Sequence, residues 1–191
     1  MLFRSRGGRV TYHGPGQLVG YGIVDLKRLP GGLRRYVHGL EEGLIAALAR
    51  FGIAAHREDG LVGVWVGQEK IAAIGIRVSR GVTWHGFALN VDPDLSYFGG
   101  IIPCGITDRG VTSMARLLGA APSLPAVARV VAEEVARVLD RRLAWVPDPG
   151  WLAAWGWEPG EGVAPWELRQ GAAPPQAVAR HGAGCAPETS G

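Results

Sequence analysis

The chain has 191 residues, of which 47% are hydrophobic and 19% are charged, and its net charge at pH 7 is +3. This composition fits one globular domain with a single core and excludes a disordered chain. No apolar run approaches the ~20 residues of a membrane helix, the N-terminus lacks the apolar core of a secretion signal, and no dense Lys/Arg block indicates a nucleic-acid surface. Two distant cysteines, Cys104 and Cys185, do not make a disulfide framework. We therefore expect a cytoplasmic protein without a membrane or nucleic-acid partner.

The first motif along the chain is rich in glycine. Residues 6–17 read Arg-Gly-Gly-Arg-Val-Thr-Tyr-His-Gly-Pro-Gly-Gln, and glycine and proline at this density exclude a helix interior. Residues 9–13 can form a short strand between two turns. The many polar side chains favour a ligand-binding loop over a plain hairpin, because a turn alone does not require them. No Lys-Ser or Lys-Thr follows, so the motif is not a phosphate-binding P-loop.

A strand and a helix come next. Residues 18–26 form an apolar strand candidate, which the turn at residues 29–32 closes. Between Arg34 and Phe51 the apolar residues recur at spacings of three and four, which predicts an amphipathic helix that ends at Gly52.

Three strand candidates then follow in series, at residues 61–66, 70–78 and 82–91. The connections between them are three residues long, which predicts an antiparallel meander. In the third strand, alternation places Trp84, Gly86 and Ala88 on one face and residues 83, 85, 87 and 89 on the other. Gly75 and Gly86 leave bare backbone in neighbouring strands. That pattern fits a bulge or bend and fits equally well a space for a slender apolar ligand.

Two more helices and a change of composition complete the chain. A short helix is predicted from Thr112 to Leu118, and a long helix, opened by Pro125, from Ala126 to Leu143. Beyond Trp145, four tryptophans lie among prolines and glycines, and residues 171–191 are rich in Ala, Gly and Pro. We predict one folded domain over residues 1–146, a Trp-rich extension over 147–170 and a disordered tail over 171–191.

Cys104 and Lys70 are the candidate reactive residues. Cys104 lies on a Pro-Cys-Gly turn, whose backbone would present the thiol, although a free cysteine is more often a small buried hydrophobe. Lys70 is one of only two lysines, and an ammonium beside a thiol favours the nucleophilic thiolate. His13 and His85 are rival bases, because Cys–His is the commoner pair, and spacing alone does not decide. No CxxC, HExxH or His/carboxylate cluster occurs, so we predict no metal site.

Several separated motifs resemble one family. The glycine-rich motif of residues 6–17, the run Lys-Ile-Ala-Ala-Ile-Gly-Ile-Arg at 70–77 and the Ile-Pro-Cys-Gly-Ile turn at 102–106 are similar to those of the lipoate–protein ligase B family, the octanoyltransferases of lipoate biosynthesis. Residues 82–91 and 111–114 agree as well. The resemblance covers residues 4–143, in order and with the family's spacing.

The resemblance implies an α/β (α+β) fold, in which a mixed, largely antiparallel sheet is packed by helices as in the catalytic cores of biotin and lipoate ligases. It implies an acyltransferase that carries an octanoyl or lipoyl group through a cysteine thioester, without a cofactor. The family's nucleophile falls on Cys104 and its activating lysine on Lys70, which favours lysine over histidine. The implied acyl-binding residues, which favour an acyl channel over a bulge, are Arg6, Gly7, Gly8, Arg9, Val10, Thr11, Tyr12, His13, Ala73, Ile74, Gly75, Gly86, Phe87 and Ala88.

The implied partners are octanoyl-acyl carrier protein as donor and, as acceptors, the lipoyl domains of 2-oxoacid dehydrogenase E2 subunits and the glycine cleavage H protein, with the chain acting as a monomer. One departure stands out. Family members usually carry several dozen residues before the Arg-Gly-Gly motif, including an apolar strand with a His-Pro-Pro turn, and the sequence lacks them. The rival hypotheses are a truncated, inactive acyl-binding or lipoyl-domain-binding protein and an ATP-dependent lipoate or biotin ligase.

Overall fold

The computed structural model describes residues 12–100 and 110–145. These residues form a five-stranded sheet with the order β1-β5-β4-β3-β2, in which every neighbouring pair is antiparallel. The strands are β1 (Gln17–Tyr21), β2 (His56–Glu58), β3 (Leu61–Val66), β4 (Glu69–Ser79) and β5 (Val82–Asn90). The predicted meander of three strands is confirmed, whereas β2 was not predicted.

In the described part of the chain, three α-helices accompany the sheet: α1 (Gly32–Arg50), α2 (Met114–Leu118) and α3 (Leu124–Val138). Short 3-10 turns lie at Leu26–Arg28 and Leu95–Gly100, so the strand predicted over 18–26 ends earlier, at Tyr21. The prediction for α3 was too long at its C-terminal end, because Asp140 adopts a left-handed conformation (φ 54°) that stops the helix. Among the described residues, no helix is long and apolar enough to cross a membrane.

The helices α1 and α3 pack closely because α1 carries two glycines at the contact. A Cβ atom at Gly43 would lie 2.8 Å from the Cα atom of Val135, and one at Gly39 would collide with the side chain of Leu139. The Arg50 guanidinium of α1 also lies 2.7 Å from a carboxylate oxygen of Glu133 in α3. A larger residue at either glycine would separate the two helices.

One face of the sheet, which we call the helix side, forms the core with these helices. Val64, Ala72 and Leu89, from three adjacent strands, are almost completely buried in one cluster with α1 and α3. Ile74 and Phe87, which pair across β4 and β5, pack against the same core. The opposite face carries Ala73 and Gly75 from β4, and Gly86 and Ala88 from β5. We call these four residues the small-residue strip.

Candidate active site

A β-bulge turns Lys70 onto the same face as the small-residue strip. Val64 pairs with Ala72, but the next residue of β3, Trp65, pairs with Lys70, so β4 carries one extra residue, Ile71. Ile71 and Ala72 both lie in the helix-side core. Without the bulge, alternation would place Lys70 on the helix side with Ala72.

The side chain of Lys70 is held against β3. Only 8% of Lys70 is exposed. Its Nζ atom donates a hydrogen bond to the carbonyl oxygen of Val62 at 3.3 Å and lies 4.6 Å from the centroid of the Trp65 ring. The carbonyl dipole and the ring face both stabilise a positive charge at this position.

The backbone of Lys70 pairs with the chain segment that follows residues 101–109. The Lys70 N–H donates to the carbonyl of Gly110, and the Thr112 N–H donates to the carbonyl of Lys70, both at 3.0 Å. These two bonds form a short parallel bridge centred on Val111. Cys104 lies outside the described residues, six positions before Gly110. The segment that leads away from the candidate nucleophile is therefore fixed directly beside Lys70.

The glycine-rich loop contacts the chain segment that precedes residues 101–109. The ring of Tyr12 stacks on Tyr97, with ring centroids 5.1 Å apart, and meets Phe98 edge-on at 5.4 Å. Both partners belong to the 3-10 turn at Leu95–Gly100, which precedes residues 101–109. Tyr12 and Lys70 thus contact the two described stretches that flank residues 101–109. Arg6–Thr11 lie outside the described residues.

Two amide side chains join the loop to the sheet. Gln17 donates to the Tyr12 carbonyl at 3.2 Å and to Oδ1 of Asn90 at 2.9 Å, and its Oε1 accepts from the Gly14 N–H. Asn90 is 5% exposed, and its Nδ2 donates to the carbonyl of Thr112 at 3.0 Å. We call this chain of hydrogen bonds the Gln17–Asn90 clamp. It connects the glycine-rich loop, the end of β5 and the segment that pairs with Lys70.

The small-residue strip runs along the sheet away from Lys70. Ala73 pairs with Ala88, and Gly75 pairs with Gly86. No described atom lies within 4 Å of a Cβ placed at Gly75, whereas a Cβ at Gly86 would lie 2.0 Å from the carbonyl oxygen of Gly20 in β1. Within the described part of the chain, Gly75 therefore leaves free space, and Gly86 allows two strands to approach. Ile74 and Phe87 project to the helix side, so only their backbone borders the strip.

The structure places the two histidines considered as bases on the glycine-rich loop and on β5. His13 is exposed and makes a 3.3 Å contact with Gln17 Oε1. His85 adopts a left-handed conformation (φ 65°) and pairs with Ile76, six strand positions from Lys70, or about 20 Å at the rise of a β-strand. The distance of His85 from Lys70 and the exposure of His13 favour lysine as the partner of a nucleophile in this region.

An open cleft lies beside the glycine-rich loop. Its volume is about 580 Å³, and its lining includes Tyr12, Gly16, Asp92, Asp94 and Tyr97. It opens at the carboxyl end of β5 and does not include the strip. Among the residues that the structure describes, no group of three or more His, Cys, Asp or Glu could hold a metal ion.

Comparison with known proteins places this geometry in a family. Residues 1–136 match the model of the lipoyl protein ligase A/B catalytic domain. The chain belongs to this family. It is 57% identical over 115 residues to the octanoyltransferase of Rhodospirillum rubrum, an alignment that covers 58% of this chain and 53% of the relative. It is 54% identical over 141 residues to the octanoyltransferase of Chloroflexus aggregans, covering 72% and 64%.

The chain thus spans 53% to 64% of the length of these two relatives. Solved structures of the same fold include lipoate-protein ligase A bound with ATP, with a TM-score of 0.63, 17% identity and coverage of 75% of this chain and 60% of that chain. They also include the biotin protein ligase of Aquifex aeolicus, with a TM-score of 0.54, 19% identity and coverage of 65% and 53%. The predicted family and the predicted fold are both confirmed.

Proposed function

We propose that this chain is an octanoyltransferase. It takes an octanoyl group from acyl carrier protein onto Cys104 as a thioester and passes it to a lysine of a lipoyl domain. The observation that carries the proposal is the position of Lys70: its side chain lies on the face of the small-residue strip, and its backbone holds the segment that follows Cys104. The names of the relatives, octanoyltransferases at 54% to 57% identity, support the same reaction.

In the first step, the Cys104 thiolate attacks the carbonyl carbon of the donor thioester. Lys70 as an ammonium favours the thiolate over the thiol. The tetrahedral intermediate collapses, the bond to the carrier's sulfur breaks, and the departing thiolate takes a proton from the Lys70 ammonium, which becomes a neutral amine. One thioester replaces another, so the step is close to thermoneutral and requires no ATP. Backbone N–H groups that hold the oxyanion contribute ~3–4 kcal/mol in enzymes of this kind.

The acyl chain would lie along the small-residue strip. An extended octanoyl chain is about 9 Å long, and a strand rises ~3.3 Å per residue, so the chain spans about three residues. A chain of that length would cover the stretch from Ala73 to Gly75, where no described atom lies within 4 Å of a Cβ placed at Gly75. The side chains of Ile74 and Phe87 point to the helix side, so the strip beneath the acyl chain carries no side chain larger than that of alanine.

In the second step, the amine of the acceptor lysine attacks the thioester on Cys104. The amine must be deprotonated, because a lysine with the reference pKa of ~10.4 is protonated at pH 7. Lys70 or a water molecule beside it accepts that proton. The C–N bond forms, the nitrogen gives its surplus proton to water, and the Cys104 thiolate leaves. The conversion of a thioester to an amide drives the reaction forward.

A two-protein assay tests the proposal. The full chain is incubated with octanoyl-acyl carrier protein and an unmodified lipoyl domain, without ATP, and the lipoyl domain is weighed by mass spectrometry. A lipoyl domain heavier by one octanoyl group, in wild type but not in Cys104→Ala, is the expected result. Transfer that needs octanoate and ATP instead would identify a ligase. Retention of the acyl group without transfer would identify a binding protein.

A further inference from the structure

The peptide group between Val62 and Gly63 contacts Lys70 through its C=O and Glu41 of α1 through its N–H. The carbonyl oxygen of Val62 accepts the hydrogen bond from Lys70 Nζ at 3.3 Å. The N–H of the same peptide, from Gly63, donates to Oε1 of Glu41 at 3.0 Å. Because the C=O and N–H of a trans peptide point in opposite directions, this single group links the lysine on one side to the carboxylate on the other.

Only glycine permits this peptide orientation at position 63. Gly63 has φ 131°, a region that other residues avoid. A Cβ atom at Gly63 would also lie 2.7 Å from the carbonyl oxygen of Ala72 and 3.3 Å from Cε of Lys70. The turned peptide and the close approach of the lysine side chain therefore depend on the same missing side chain.

Glu41 is an acidic residue in an unusual place. It belongs to α1, it is 5% exposed, and its second oxygen lies 3.6 Å from Nε of Arg57. A carboxylate is rarely buried unless a specific interaction holds it there. Its neighbour Glu42 also pairs with Arg57 at 3.6 Å, but its side chain is 52% exposed. Of these two acidic residues, the structure connects Glu41 to the lysine.

We infer that Glu41 is a positioning residue for Lys70. Through the Val62–Gly63 peptide, its carboxylate orients the carbonyl that holds Nζ and stabilises the positive charge there. The inference rests on the proposed function, in which Lys70 as an ammonium supports the Cys104 thiolate. It assigns to α1 a part in the chemistry although the helix lies on the other side of the sheet.

Among the described residues, β2, β4 and α2 also contribute charged groups near this cluster. Arg57 of β2 contacts Glu41, and Glu69 of β4 precedes Lys70 in the chain. Glu69 is itself paired with Arg116 of α2 at 3.2 Å. Removing the charge of Glu41 leaves the Glu69–Arg116 pair in place, so a change in the titration midpoint of Lys70 can be assigned to Glu41.

The test uses the fact that Lys27 and Lys70 are the only two lysines. Protein labelled with ¹³C and ¹⁵N in lysine gives two side-chain NMR signals, and exposed Lys27 serves as the internal reference. In Glu41→Gln, which keeps an oxygen acceptor for the Gly63 N–H, we expect the titration midpoint of Lys70 to fall by about half a pH unit or more. The titration midpoint of Lys27 should not change.

Glu42→Gln is the matched control, because it removes a charge that contacts the same Arg57 but does not contact Gly63. It should leave the titration midpoint of Lys70 unchanged. Arg57→Gln should move the Lys70 midpoint upward, since a cation near Glu41 is lost. A Lys70 midpoint that is the same in wild type and Glu41→Gln, or that shifts equally in Glu42→Gln, would overturn the inference. The titration does not depend on turnover. Failure of wild type to form an acyl adduct would therefore refute the proposed function separately.

Discussion

At the scale of single residues, the site depends on one extra residue in β4. The sequence identified Lys70 by its rarity and by its place at the start of an apolar run. Alternation from Ala72 and Ile74 would have put it on the helix side, in a core where an ammonium would be costly. Ile71, as the bulged residue, reverses that arrangement. An Ile beside an Ala gives no sign of a bulge, because the bulge depends on the pairing with β3.

Gly75 and Gly86 form a pair in the sheet, but they serve different purposes. In Gly75→Val the new side chain meets no described atom, and valine is favoured in a strand, so we expect unchanged or higher thermal stability. The same side chain occupies the end of the strip. Transfer of octanoyl should therefore fall by about tenfold or more, while transfer of a butyryl group should change little. Comparing the rates with the two acyl carrier protein thioesters measures this shift.

Two variants delimit the interpretation. Ser79→Val adds a valine to the same strand beyond the strip and should leave the ratio of octanoyl to butyryl transfer unchanged. Gly86→Ala should destabilise the protein by about 1–3 kcal/mol, because the methyl group meets the backbone of β1. Equal losses with both acyl groups in Gly75→Val would refute the placement of the acyl chain on the strip.

At the scale of elements, the Gln17–Asn90 clamp joins three parts of the chain that lie far apart in sequence. In Asn90→Asp the side chain still accepts from Gln17, but an ionised oxygen would face the carbonyl of Thr112. Burial and this repulsion should raise the pKa of the new carboxyl in the folded protein above its unfolded value of ~3.9. The loss of stability should therefore be small below pH 4, grow as the pH rises through the folded pKa, and reach about 1–3 kcal/mol at pH 7.

Urea unfolding of wild type and Asn90→Asp at pH 4 and pH 7 measures this dependence. Asn90→Ala loses the same donor without adding a titrating group, so its deficit relative to wild type should be similar at both pH values. If Asn90→Asp were equally destabilised at pH 4 and pH 7, the hydrogen bond to Thr112 would not be the interaction that matters.

The elements themselves were predicted unequally well. The meander and α1 have strong periodicity and clear turn residues, and their observed bounds lie within one or two residues of the predicted ones. The strand β2 has only three residues, His56–Glu58, all polar, so no apolar pattern marked it. The apolar spacing of α3 continues to Leu143, but the left-handed Asp140 ends the helix regardless. Neither the Gln17–Asn90 clamp nor the contact between Glu41 and Gly63 has a signal in local sequence.

At the scale of the whole molecule, the sheet brings together segments that are distant in the chain. The glycine-rich loop and the 3-10 turn at Leu95–Gly100 meet through Tyr12, and Lys70 meets the segment from Gly110 to Thr112. Glu41 reaches the same point from α1 through Gly63. These contacts converge on the two ends of the stretch that contains Cys104. The family motifs included Tyr12, Lys70 and Thr112 but not Glu41 or Gly63, and the sheet order and register show how these residues meet.

The most direct test is the intact mass of the chain after incubation with octanoyl-acyl carrier protein alone. We expect wild type to gain one octanoyl group that hydroxylamine removes, Cys104→Ala to gain none, and Lys70→Ala to gain it about tenfold more slowly or worse. A wild-type protein that is folded yet stays unmodified, or an adduct that persists in Cys104→Ala, would contradict the account.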